Sequence, residues 1–116
     1  MSTLLICGSR DLTNYQLVVD AIRDSNFIFD EIIEGGCRGV DYLGRLYADG
    51  HDIHRRCFPA NWDKHGISAG LRRNSEMVEQ ADMVIAITLP TSRGTWDTIR
   101  KAQYKGIPVH IVEVSK

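Results

Sequence analysis

Three short apolar runs in this chain end in small-residue turns, and each turn carries an arginine. Leu4-Leu5-Ile6 runs into Cys7-Gly8-Ser9-Arg10, Ile32-Ile33 into Gly35-Gly36-Cys37-Arg38-Gly39, and Val84-Ile85-Ala86-Ile87 toward Ser92-Arg93-Gly94-Thr95. Glycine lets backbone N–H groups come close to a ligand, and a helix that starts next favours negative charge. Arginine adds a planar fork that grips phosphate or carboxylate through two parallel bonds. Three such turns in one small chain point to a shared pocket for something phosphorylated.

Each turn has its own chemistry. In the first, Gly8 gives backbone clearance, Ser9 a hydroxyl and Arg10 the clamp. In the second, Gly35, Gly36 and Gly39 allow a nest of N–H groups around an anion, with Arg38 beside them. Asp41 either contacts ribose hydroxyls or complements the positive end of the helix it opens. The segment is neither the G-x-G-x-x-G dinucleotide fingerprint nor a P-loop, since it lacks the Lys-Ser/Thr pair. In the third turn, Ser92, Arg93, Gly94 and Thr95 expose amides to an anion, or Ser92 or Thr95 serves only to cap the helix.

Two further places carry chemistry. Arg72-Arg73-Asn74 falls near the start of a helix on which Arg73 and Met77 share a side, while Arg72 points roughly 100° away. Arg73 or Asn74 is therefore expected to reach the pocket. Trp62, in a polar loop beside Asn61 and Asp63, is expected to stack on a ligand or pack as a lid, whereas Trp96 stands at helical spacing from Ile99 and packs inward.

The elements that position these residues alternate. The pattern predicts strands at about 3–8, 30–35, 53–58, 83–88 and 108–114, with helices at about 14–25, 39–50, 67–80 and 95–105. Thr13 or Asn14 caps the first helix, Gly106 ends the last, and residues 59–66 read as a loop. Strict alternation means a parallel sheet covered on both faces by right-handed crossovers. The first and fourth strands are the most apolar, so they belong side by side at the centre. His54-Arg55-Arg56 mark the third as an edge. The order 3-2-1-4-5 satisfies both, giving a Rossmann-like α/β three-layer sandwich. Its ligand crevice lies between strands one and four, where the winding reverses.

Composition narrows the function. A chain of 116 residues is expected to form one domain. With a net charge of −1 it is not a bulk polyanion binder, which argues against nucleic acid as partner. No apolar run approaches the ~20 residues that cross a bilayer, and no leader-like segment precedes the first strand, so no membrane partner and a cytoplasmic location are expected. Cys7, Cys37 and Cys57 form no C-x-x-C pair, and His51, His54, His65 and His110 lack ligand spacing, so no metal and no cofactor are expected. There is no G-x-S-x-G nucleophile elbow.

Over nearly its whole length the chain resembles a known pattern. Gly8-Ser9-Arg10-Asp11, Gly35 through Asp41, Phe58-Pro59-Ala60-Asn61-Trp62, Gly66 with Ala69-Gly70, Arg73-Asn74 with Met77, Ala81-Asp82 and Ser92 through Thr95 occur in order. Together they resemble the YspA-like branch of the SLOG superfamily, named after the DNA-processing protein DprA/Smf and the cytokinin-activating LOG enzymes. The resemblance implies a Rossmann-like domain that binds a nucleotide or nucleotide-derived molecule, sensing or sequestering it. It carries two alternatives. One is a LOG-like phosphoribohydrolase that cleaves the N-glycosidic bond of a nucleoside monophosphate. The other is DprA-like binding of single-stranded DNA. For the hydrolase, Arg73 stands in for the family's helix arginine and Asp97 is the acid nearest the Thr91-Ser92-Arg93-Gly94-Thr95 turn, which lacks the family's second glycine and its glutamate. Other relatives sense ADP-ribose-type signals in bacterial or phage conflict systems. Relatives often pair through helices, so a homo-oligomer is compatible, although no apolar patch in the sequence marks an interface.

Overall fold

In a computed structural model that describes residues 2–115, the elements run β1 (Thr3–Gly8), α1 (Tyr15–Ser25), β2 (Glu31–Glu34), α2 (Val40–Gly50), β3 (His54–Cys57), α3 (Trp62–His65), a 3-10 turn (Gly66–Ser68), α4 (Ala69–Gln80), β4 (Met83–Thr88), α5 (Arg93–Lys105) and β5 (Val109–Glu113). All strand pairs are parallel and the order is β3-β2-β1-β4-β5, as the apolar runs predict. Side chains alternate across a strand, so a sheet covered on both faces needs apolar residues at every position. Leu4 and Ile6 join Val18, Val40 and Ile85 under α1 and α2, while Leu5 and Cys7 join Met77, Val84 and Ile99 under α4 and α5. Two half-cores thus clamp β1 and β4 at the centre.

Local signals set the element ends. Asn14 is the cap of α1, its side chain accepting from the Gln16 N–H at 3.0 Å. The expected loop over 59–66 contains the short helix α3. Asn61 nucleates it by accepting from the Lys64 N–H at 3.1 Å, and Gly66, at φ +58°, breaks it. Residues 67–68 are consequently drawn into the 3-10 turn, and α4 starts at Ala69. The last helix begins at Arg93, two residues earlier than the pattern predicts, because Ser92 rather than Thr95 occupies the N-cap position. No helix among the described residues is long and apolar enough to cross a membrane.

Opposite the cleft, the sheet is tied across three strands by one buried carboxylate. Glu31 on β2 accepts from Arg56 Nε (3.0 Å) and Nη2 (2.9 Å) on β3 and from the Thr3 hydroxyl (2.7 Å) on β1, and His54 Nε2 lies 3.2 Å away. The Arg56 hydrogen bonds hold its carboxyl below the usual carboxylate range, against the opposing effect of burial. A depressed carboxylate contributes stability above its unfolded-state value, and that stability is lost as pH falls through the folded value. Glu31→Gln is therefore expected to cost about 1–3 kcal/mol at neutral pH. The deficit should shrink below pH ~4, as read by urea denaturation midpoints across the pH range. A constant deficit would contradict the assignment.

Candidate functional site

At the carboxyl end of the sheet, where β1 and β4 send their loops in opposite directions, a cleft of about 300 Å³ opens. Gly8, Ser9 and Arg10 from the β1 turn line one side. Ser92, Arg93, Gly94 and Thr95 at the start of α5 line the other, with Asp41 from α2 and Arg73 and Asn74 from α4 along the rim. The structure thus gathers ten of the residues singled out by sequence around one opening.

The start of α5 is built like an anion site. The Arg93 N–H bonds the Thr91 carbonyl at 3.0 Å, and the helical ladder begins with the Trp96 N–H on the Ser92 carbonyl at 3.1 Å. Between them the Gly94 and Thr95 N–H groups have no backbone acceptor among the described residues. Ser92 makes no side-chain cap, and no acidic residue stands in the first turn. These are the unsatisfied donors of a helix N-terminus, where partial positive charge collects. A Cβ at Gly94 would meet nothing within 4 Å, so the backbone there faces open space.

Charge in the cleft is uneven. Arg10 and Arg93 are exposed and form no ion pair among the described residues. Asp11 lies 3.6 Å from Arg38, an exposed pair of small worth. Asp41 is buried, and burial pushes its carboxyl up to about 6, against the N–H of Cys37 and the Arg73 guanidinium, which favour its charged form. Two guanidiniums without an ion-pair partner among the described residues therefore face an opening whose one buried carboxylate is engaged by the Cys37 N–H.

Arg73 and Asn74 hold the rim in shape. Arg73 Nη1 donates to the Gly35 carbonyl at 2.6 Å, and its Nε donates to Asn74 Oδ1 at 3.0 Å. Asn74 Nδ2 reaches both the Gly94 carbonyl and Asp97 Oδ2 at 3.2 Å. Lys101 Nζ closes the chain on the same Asp97 oxygen at 2.8 Å. One network therefore spans the β2 loop, α4 and the first turns of α5.

Several residues expected at the ligand stand elsewhere. Gly35, Gly36, Arg38, Gly39, Trp62 and Asp97 do not line the cleft. Two donors of the expected nest are taken by the chain's own carboxylates: the Gly36 N–H bonds Glu34 Oε1 at 2.7 Å, and the Cys37 N–H bonds Asp41 Oδ2 at 3.2 Å. Gly35 is small because a Cβ would lie 2.6 Å from Arg73 Nη1. Gly39, at φ +75°, lets α2 start directly beneath the Ser9-Arg10 backbone, where a Cβ would strike Arg10 Cα at 2.6 Å. Asp97 is held by Lys101 and Asn74 rather than facing the opening. Asp41 does line the cleft, but its visible bond is to the loop backbone of Cys37.

Other wall residues escaped the sequence reading. Cys7 and Met77 form part of the wall, and burial raises the Cys7 thiol far above its ordinary value, which disfavours the reactive thiolate. Thr98 donates to the Gly94 carbonyl at 3.3 Å, one helical turn on, and the Asp97–Lys101 pair was legible as an i,i+4 acid–base pair. No group of histidine, cysteine and acidic side chains fit to hold a metal occurs among the described residues.

The model of the YspA, cpYpsA-related SLOG family matches residues 3–65, which carry β1 through α3 and the first two glycine turns. The chain is similar to the Gene 61 protein of Mycobacterium phage D29, 36% identical over an alignment of 118 residues that covers 94% of each chain. No solved structure matches it.

The buried Asp41 supplies a test of this electrostatic picture. A raised carboxyl favours folding at low pH, and that contribution is lost as pH rises through about 6. Asp41→Asn keeps an oxygen for the Cys37 N–H and removes the charge. Its stability relative to the parent is expected to rise by roughly 2–3 kcal/mol at pH 8, with the gain vanishing by pH ~4. Thermal unfolding at both pH values checks this, and a variant less stable at pH 8 would contradict it.

Proposed function

This chain belongs to the YspA, cpYpsA-related SLOG family, and from that footing we propose that it binds a nucleotide or nucleotide-derived small molecule, sensing or sequestering it, with a phosphate seated at the start of α5. The observation that carries this reading is the pair of Gly94 and Thr95 amides and the two arginines, Arg10 and Arg93, that find no partner among the described residues and open on the same cleft. An anion there gains backbone N–H bonds without reorganisation, and the guanidiniums neutralise it from both sides. Ser9, Ser92 and Thr95 add hydroxyls at the wall, and Arg73 and Asn74 offer the sugar or base a rigid polar rim. Gly8 permits the close approach of the β1 turn to β4, since a Cβ there would strike the Ile87 carbonyl.

Family membership also suggests a LOG-like role, cleavage of a nucleoside monophosphate. Its acid would be Asp97, whose Oδ2 is engaged by Lys101 and Asn74 and which is not part of the cleft wall. That placement favours binding over hydrolysis. Binding of single-stranded DNA finds little support in a chain of net charge −1.

Thermal shift against a panel of nucleotides and dinucleotides tests the reading. A ligand at a hundredfold its Kd is expected to add about 2.7 kcal/mol of stability. Arg93→Ala is expected to weaken binding by about tenfold or more, the loss of one charge-assisted contact. Stabilisation by no member of the panel, or binding indifferent to Arg93, would contradict it.

A further inference from the structure

Residues 59–68 lie between β3 and α4 and are tied to the rest of the molecule by very little. The last bond to the sheet is the Phe58 N–H on the Glu34 carbonyl at 2.8 Å. Beyond it the hydrogen bonds are local: Lys64 and His65 N–H on Asn61, the Ser68 hydroxyl on the His65 carbonyl, and Arg72 Nε on Ser68 Oγ. No residue of α3 or of the 3-10 turn is buried. Segments of this kind open at low free-energy cost.

The same segment displays large apolar side chains. Trp62 is 53% exposed and Ile67 97% exposed. Its ends lie near the cleft: a Cβ built at Gly36, next to the cleft residue Cys37, would lie 3.9 Å from Pro59 Cα, and Ser68 leads into the helix that carries Arg73. Trp62 itself stands next to the rim: a Cβ built at Gly70 would lie 3.5 Å from Trp62 Cη2 and 3.9 Å from Arg73 Nη2. Glycine at 70 therefore leaves open the space between an indole edge and a guanidinium that lines the cleft. Gly66, at φ +58° with nothing within 4 Å of its missing side chain, is a free joint between α3 and the turn that follows.

The cleft, meanwhile, has no aromatic residue among those that line it. A ligand with only a phosphate or a sugar phosphate would need none. We infer that residues 59–68 are a lid, and that Trp62 closes on a flat heteroaromatic base of the ligand beside the Arg73 guanidinium. This rests on the phosphate reading above and deepens it: the ligand class is a nucleotide with its base attached. Stacking on an aromatic face suits any base, because every base has a π-face, while Arg73 adds a planar cation beside it.

The test uses the full chain, adenosine 5′-monophosphate and ribose 5-phosphate, with calorimetry and tryptophan emission as readouts. The chain has two tryptophans, and Trp62→Phe isolates the signal of Trp62 from that of Trp96. Adenosine 5′-monophosphate is expected to change the emission of the parent and not of Trp62→Phe. Trp62→Ala is expected to weaken it by about ten- to a hundredfold, the worth of one stacked base, and to leave ribose 5-phosphate binding unchanged, which also reports that the variant is folded. If both probes bind the parent and Trp62→Ala alike, with no change in emission, the lid is overturned and the phosphate site stands. If neither probe binds, the phosphate site fails and the lid with it.

Discussion

Arg73 and Asn74, neighbours on α4, join three segments that the sheet alone would leave apart. Arg73 holds the carbonyl of Gly35, the first residue after β2, and Asn74 holds the carbonyl of Gly94 in the first turn of α5. A parallel sheet delivers loops to its carboxyl edge but does not fix how far apart they stand. Here that distance is set by side-chain bonds of 2.6–3.2 Å that run from Gly35 through to Asp97. Loss of Arg73 leaves the carbonyl of buried Gly35 without this partner, and leaving such a group unmet costs more than the bond itself is worth. The Gly94 and Thr95 amides, in the first turn of α5 with no intrahelical acceptor, are thereby held at the cleft.

The chain also spends its own carboxylates selectively. Glu34 and Asp41 occupy the amides of the Gly35–Cys37 loop, and Asp97 is occupied by Lys101. Nothing acidic caps α5. The Gly35–Cys37 stretch of the loop that looks most like a phosphate nest is therefore engaged internally, while the less glycine-rich turn keeps its Gly94 and Thr95 donors open. With Asp41 engaged by the Cys37 amide and Asp11 beside Arg38, the positive charge of Arg10 and Arg93 is left to whatever enters. The constraint that shapes the rim and the electrostatics that fill it have one origin, the competition of internal groups for backbone donors.

Strand order was legible because burial on both faces demands unbroken apolar runs at β1 and β4, and because His54-Arg55-Arg56 can be tolerated only at an edge. The convergence of Gly8-Ser9-Arg10 with Ser92-Arg93-Gly94-Thr95 followed from that order. The roles of individual glycines did not. A glycine that admits a ligand and one that admits a neighbouring loop look alike in sequence, and Gly35 and Gly39 prove to admit Arg73 and the Ser9-Arg10 backbone. Asp97 reads in sequence as an acid near a turn, but Lys101, one helical turn on, neutralises it. The Asn61 cap that makes α3 was readable as a side-chain acceptor three residues before the Lys64 amide, but a helix of four residues is too short to leave a periodic signal.

The most direct measurement is an amide-resolved NMR titration with adenosine 5′-monophosphate against adenosine. The account predicts that the nucleotide shifts the Gly94 and Thr95 amide protons downfield, as donors to a charged oxygen, and that the nucleoside leaves them in place. Equal response to both compounds, or shifts centred on the Gly36 and Cys37 amides instead, would contradict it.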